Sequence, residues 1–237
     1  MDAPPDAAPP TPPGVPPAGT PTWYVRHGEL ANGRFRVRCH VDDAHPDGIV
    51  VDEPRGGSGM FTLWTADVDG DGHAVLWVNP LANPGTAACW FVVLEDRAAA
   101  EPTATLVAFA TDHVPLGTVV TDPEFFHLPV ANRDQVAAVR WWTQTGAVDQ
   151  IYVAERWRGR DQARELVYNA SAYHQHRGWP GRMHIDGRRT TAGQQALGER
   201  RHPTRIAPLE KLLAPLDAPA GTPAPSPDEV FEPPPPD

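Results

Sequence analysis

The residue types best suited to chemistry fall in one stretch, DQIYVAERWRGRDQARELVYNASAYHQHRGW, at residues 149–179. A β-like run, IYV, leads into a turn that carries Arg156, Arg158 and Arg160. Beyond it Ala163, Leu166, Val167, Ala170 and Tyr173 recur at i, i+3, i+4, i+7 and i+10, with Arg164, Glu165, Asn169 and Gln175 on other faces. That spacing predicts a helix with one inward face, ended by Gly178 with Pro180 beyond. The first amides of a helix have no intrahelical acceptor, and the aligned peptide dipoles place partial positive charge there. Phosphate is the ligand such a start favours. The same arginines equally suit a solvated basic turn that binds nothing. Residues 156–205 hold 11 Arg against Asp161, Glu165, Asp186 and Glu199, so an anionic ligand is expected in this half of the chain.

Other constellations point to less. Asp67, Asp69, Asp71 and Gly72 match the opening of a calcium loop, but Val78 stands where a bidentate Glu is required and the flanks are strand-like, so DVDGDG is expected to be a hairpin turn. His174 and His176 lie two apart, on different faces of the predicted helix, and form no metal pair with His184 or His202; no metal site is expected. The chain contains no GxSxG, HExxH or GxxxxGK motif. Cys39 and Cys89 lack CxxC spacing and are expected to be two separate thiols. Trp64, Trp77, Trp90, Trp141 and Trp142 sit in strand-like runs and are expected in the core.

The elements that must position the basic turn divide the chain. Short β-like runs bounded by Gly, Pro, Asn and Asp occupy residues 34–153: RFRVRCH, GIVVDE, MFTLWTA, HAVLWVN, ACWFVVL, ATLVAFA, QVAAVRWW and QIYVAE. The predicted helix follows, then a short strand over residues 182–185, a second helix near 190–200 and a last helix over 206–213. Residues 1–22 and 214–237 each hold 9 of the 29 prolines, with 2 and 5 acidic residues respectively and no basic ones. Both are expected to be disordered tails around a domain at 23–213, with a β-rich half (23–135) and a half that carries the motif (136–213). The net charge of −10 therefore belongs mostly to the tails. Acidic tails repel a polyanion, so a phosphorylated small molecule is expected rather than nucleic acid. The longest apolar stretch is far below the roughly 20 residues that cross a bilayer, and the N-terminus reads as neither signal nor transit peptide. A cytoplasmic location and no membrane contact are expected.

The stretch from Ile151 to Leu166 resembles the GNAT N-acetyltransferase superfamily, whose acetyl-CoA motif runs from the fourth strand through a turn of the form Arg/Gln-x-x-Gly-x-Gly/Ala into a helix. Arg158 and Ala163 match the first and last positions, with Gly159, Arg160 and Gln162 between, while Asp161 stands where the family has glycine. The hairpin AVRWWTQTGAVDQIYV looks like the family's third and fourth strands, and GRMHIDGRRTTAGQQAL falls where its fifth strand and fourth helix lie, so the resemblance covers roughly residues 136–197. Upstream, strands and loops replace the family's two helices. The resemblance implies an α+β, GNAT-like fold: a mixed, mostly antiparallel sheet with C-terminal helices. It implies that Ile151, Tyr152 and Val153 meet the pantetheine arm and that the turn from Arg156 to Ala163 meets the phosphates of acetyl-CoA or another acyl-CoA. Asp149 is then the candidate base and His184 the stand-in for the family's tyrosine acid. The expected function is acyl-CoA-dependent N-acyl transfer, by direct transfer, to an amine of a small molecule or protein. The rival is a catalytically silent binding or interaction module in which Asp161 caps the helix and the CoA site is retired.

Overall fold

Apolar and polar residues alternate along most of the first two thirds of the chain, and the strands follow that alternation. The structure, a computed structural model, describes residues 14–30, 33–52, 60–196 and 205–213. In order come β1 (Thr22–Leu30), β2 (Arg34–Val41), β3 (Val50–Val51), β4 (Phe61–Val68), β5 (Ala74–Val78), β6 (Trp90–Asp96), β7 (Thr103–Phe109), β8 (Thr118–Thr121), α1 (Asp122–Phe125), β9 (Gln135–Trp142) and β10 (Ala147–Val153). The 15-residue α2 (Gln162–His176) follows, then β11 (His184–Ile185), β12 (Arg188–Thr190), α3 (Thr191–Ala196) and β13 (Lys211–Leu213).

Eleven strands form one mixed sheet in the order β11-β10-β9-β7-β6-β8-β5-β4-β2-β1-β3. Two antiparallel meanders, β1-β2-β4-β5 and β6-β7-β9-β10, meet through β8, which runs antiparallel to β5 and parallel to β6. Short parallel strands close the edges, β3 beside β1 and β11 beside β10. The sheet curls around α2, which packs against β2, β4 and β5 from one meander and β7, β9 and β10 from the other. Ala104, Leu106, Ala137, Val139 and Trp141 point at the helix from the second meander, and Val37, Cys39, Leu63 and Trp64 from the first. On the opposite face a smaller cluster of Trp90, Val92, Phe109, Val114 and Val120 is covered by Phe125, Leu128 and Val130.

The expected GNAT-like α+β fold with C-terminal helices is therefore overturned: the molecule is mostly sheet, and among the described residues α2 is the only helix longer than six residues. Every residue from Tyr168 to His176 is buried, so α2 is a central rod and not a one-faced surface helix. The small Ala170, Ser171 and Ala172 admit close approach from both sides, and several of the buried polar side chains donate to specific acceptors. Gln175 Nε2 donates to Gly181 O at 3.1 Å and Asn169 Nδ2 to Glu165 O at 2.9 Å. Trp141 Nε1–H donates to His174 Nδ1 at 3.1 Å, so the proton of that ring sits on Nε2, 2.9 Å from Pro180 O. His176 Nδ1 donates to Phe35 O at 2.6 Å.

The predicted last helix is also corrected. Residues 206–213 are extended, with Ile206 bridged to Ile185 and β13 parallel to β12. The extended path gives Ala207 N–H the carbonyl of Ile185 and gives Glu210 and Lys211 N–H that of Gly187, pairings that a helix over these residues would forgo. The second helix is shorter than expected, Thr191–Ala196, and residues 197–204 lie outside the described part. So do the expected tails apart from residues 14–22, of which Val15 is buried and Thr22 opens β1. DVDGDG is the β4–β5 hairpin, and Asp69 Oδ1 accepts the amides of Asp71 (3.0 Å) and His73 (2.9 Å). Asp69, Asp71 and His73 converge there, the only group of metal-ligand type among the described residues, and Val78 lies in β5. No helix among the described residues is long and apolar enough to cross a membrane.

Candidate functional site

β10 is paired on one side along its length and on the other only at its start. Its partner β11 meets Ala147 and Val148 and then departs. Gly146 and Gly181 permit this junction: both have positive φ, and a Cβ on Gly146 would come within 2.4 Å of Arg182 O. At Asp149 the register with β9 shifts, a bulge that reverses which backbone groups face each neighbour. Ala154 N–H bonds to Val136 O across the sheet, so by alternation the backbone groups of Ile151 and Val153 point to the open side. Among the described residues no strand covers them there. Arg158 Nε, 3.2 Å from Val153 O, reaches this edge. Ile151 and Val153 pack on the core while the Tyr152 side chain is exposed.

The turn begins with a 3-10 segment, Glu155–Trp157, passes Gly159 at φ +72° and ends at Asp161 at φ +55°. Arg156 Nη2 donates to the carbonyls of Arg133 and Gln135, and the guanidiniums of Arg156 and Arg160 lie 5.9 and 5.4 Å from the Trp157 ring centroid. None of the ion pairs among the described residues includes Arg156, Arg158 or Arg160. Their charge has no paired carboxylate among the described residues. Asp161, the expected cap of α2, makes no side-chain hydrogen bond to the helix amides; its carboxylate pairs with Arg164 at 2.7 Å. The helix start is thus uncapped. Two buried donors in the same unit, Trp157 Nε1 and Gln162 Nε2, have no acceptor among the described residues. Gly159 is exposed and Ala163 half-buried, and a Cβ on Gly159 would meet nothing within 4 Å.

The two candidate catalytic residues flank the β10–β11 junction. Asp149 is tied to Arg140 on β9, whose Nε lies 2.6 Å from Oδ2. His184 is half-buried, opposite Ala147, and its Nδ1 must carry the proton because it contacts the carbonyl of Arg182 at 2.9 Å. Its Nε2 keeps a lone pair and no partner among the described residues. His184 lines a cleft of about 400 Å³ with Thr145, Arg182 and Arg205.

Neighbours from distant sequence complete the arrangement and carry no local signal. Asn83, buried in the loop after β5, donates to Glu165 Oε2 at 2.8 Å and accepts from Arg164 Nε at 2.5 Å, which fixes the first turn of α2. Burial raises the pKa of Glu165 against the opposing hydrogen bonds from Asn83 and Asn169. Arg140 and Arg205, the partners of Asp149 and of the cleft, are equally silent in the sequence. Cys39 and Cys89 are free thiols, each pushed up to about 12 by burial, and neither is a nucleophile in this state. Comparison with protein-family models, curated proteins and solved structures finds no match.

Proposed function

We propose that the turn between β10 and α2, together with the open edge of β10, binds an acyl-CoA, and that the chain is an N-acyltransferase moving the acyl group directly to an amine. The observation that carries this reading is a conjunction. Three arginines without carboxylate partners among the described residues lie in the turn that leads into an uncapped helix start, at the end of a strand whose outer edge is open among those residues. Phosphates would take Arg156, Arg158, Arg160 and the first amides of α2. The outward backbone groups of Ile151 and Val153 suit the amides of a pantetheine arm. From Val153 back to Ala147 the strand spans about 20 Å, which is on the order of the reach of such an arm. A ligand anchored at the turn then presents its thioester where β11 joins and His184 lies.

Acyl-CoA supplies a thioester carbonyl at that point. His184 Nε2 takes the proton released as the amine nitrogen bonds to the carbonyl carbon, and returns it to sulfur as the C–S bond breaks. Asp149, held by Arg140, keeps the bulge in place in this reading. The test is thiol release from acetyl-CoA in the presence of an amine mixture. His184→Asn is expected to lower kcat by at least about 100-fold while CoA affinity stays within about twofold. Parental turnover in that variant would remove His184 from the reaction. The second reading, binding without turnover, is favoured by the ion pair that occupies Asp149. CoA binding with no thiol release by any amine selects it, and absence of CoA binding overturns both.

A further inference from the structure

At the end of β10 opposite the basic turn, the cleft beside β11 has charge on its wall. Arg182 Nη1 lies 2.7 Å from Asp47 Oδ2, and Arg205 Nη2 lies 3.7 Å from Asp47 Oδ1. Arg205 also donates to Tyr24 Oη at 2.8 Å and to Thr22 Oγ1, while its Nε has no acceptor among the described residues. Its side chain is only 11% exposed. Burial raises the pKa of Tyr24, which keeps its hydroxyl neutral. Burial also pushes Asp47 up, but hydrogen bonds from Thr22 and Arg182 and the charge of Arg205 outweigh it and hold the carboxyl well below its usual range. Two guanidiniums therefore share one carboxylate among the described residues, leaving one positive charge in surplus where solvent screening is weak. A buried cation only partly matched by a carboxylate is costly, and Arg182 and Arg205 both line a cleft of about 400 Å³.

We infer that this cleft binds the carboxylate of the acyl acceptor, which makes the acceptor an amino acid: its carboxylate meets Arg205 and Arg182, and its amine faces His184 on the same wall. The term acceptor rests on the acyl-transfer reading; the carboxylate site rests on the cleft alone. The site is separate from the basic turn, since it uses none of Arg156, Arg158 or Arg160.

Melting of the full chain with each proteinogenic L-amino acid at millimolar concentration, against the matching amino-acid amides, tests the inference. At least one amino acid is expected to raise Tm by several degrees while its uncharged amide does not. Arg182→Gln should weaken that amino acid by at least about tenfold in calorimetry, as expected for a lost charge-assisted contact. Arg205→Gln, being buried, is expected to lower Tm itself, so Arg182→Gln, at a half-buried position, carries the test. No shift with any amino acid, or equal shifts with the amides, overturns the carboxylate site. CoA titrated into the same samples separates the two claims: CoA binding without an amino-acid effect removes the acceptor assignment and leaves the CoA reading. An amino-acid effect that Arg182→Gln abolishes, without CoA binding, keeps the carboxylate site and overturns its role as an acceptor site.

Discussion

Asp161 holds φ at +55°, a region where Cβ crowds the following carbonyl, and no other non-glycine residue among those described does so. Its carboxylate turns to Arg164 and leaves the helix amides bare. Asp161→Gly is therefore expected to stabilise the chain by up to about 1 kcal/mol and to tighten CoA binding through loss of a negative charge beside the phosphates. A capping aspartate would give the opposite sign in the melt, so a lower Tm for the glycine variant contradicts this geometry. His174 and His176 supply a second test at this scale. Burial, against the hydrogen bonds to Pro180 and Phe35, lowers both to about 4 from 6.5. The unfolded chain binds more protons between those values, so the neutral rings stabilise the fold above pH 6.5, and this is lost as pH falls towards 4. The loss is on the order of 3 kcal/mol for each fully buried ring. His73 acts with the opposite sign: its hydrogen bond to Glu124 raises its pKa, so its smaller contribution is present below the unfolded value and fades as pH rises. Denaturant melts from pH 8 to 4 should show stability falling towards acid; a flat profile contradicts neutral buried rings.

At the scale of elements, the β10–β11 junction depends on close backbone approach at Gly146. Gly146→Ala places a Cβ against the Arg182 carbonyl at positive φ, and a loss of more than about 1 kcal/mol is expected, with exchange protection falling in β11. Unchanged stability would mean that the segment before β11 packs elsewhere. The sequence makes this junction only partly legible. Strands β2, β4 to β7, β9 and β10, the DVDGDG hairpin and the span of α2 are readable because alternation, turn residues and helical spacing are local signals. β1 and β8 are not among the predicted strand runs: β1 opens beside a proline-rich stretch and β8 is only four residues long. The enclosure of α2 is not readable, because Gln175 and His176 look like solvent-facing positions until Gly181 O and Phe35 O, the latter 141 residues from His176, accept from them. The Leu209, Leu212 and Leu213 spacing mimics a helix although residues 206–213 pair as extended chain. The basic turn was visible as charge; that Asp149 is bound by Arg140, and that Arg205 shares Asp47 with Arg182, depends on tertiary pairing that no spacing encodes.

For the whole molecule, a sheet curled around α2 leaves a basic turn at one end of β10 and a cleft beside His184 at the other. In the proposed function the basic turn holds the phosphates of CoA. Exposed arginines contribute little to folding, so their removal should act on binding alone. Isothermal calorimetry of CoA with the parent chain and with the double variant Arg158→Ala, Arg160→Ala tests this directly, with melts run beside it. The parent is expected to bind CoA and the double variant to bind at least about tenfold more weakly, with Tm nearly unchanged. Equal affinities for the two chains, or no binding by the parent, would contradict it.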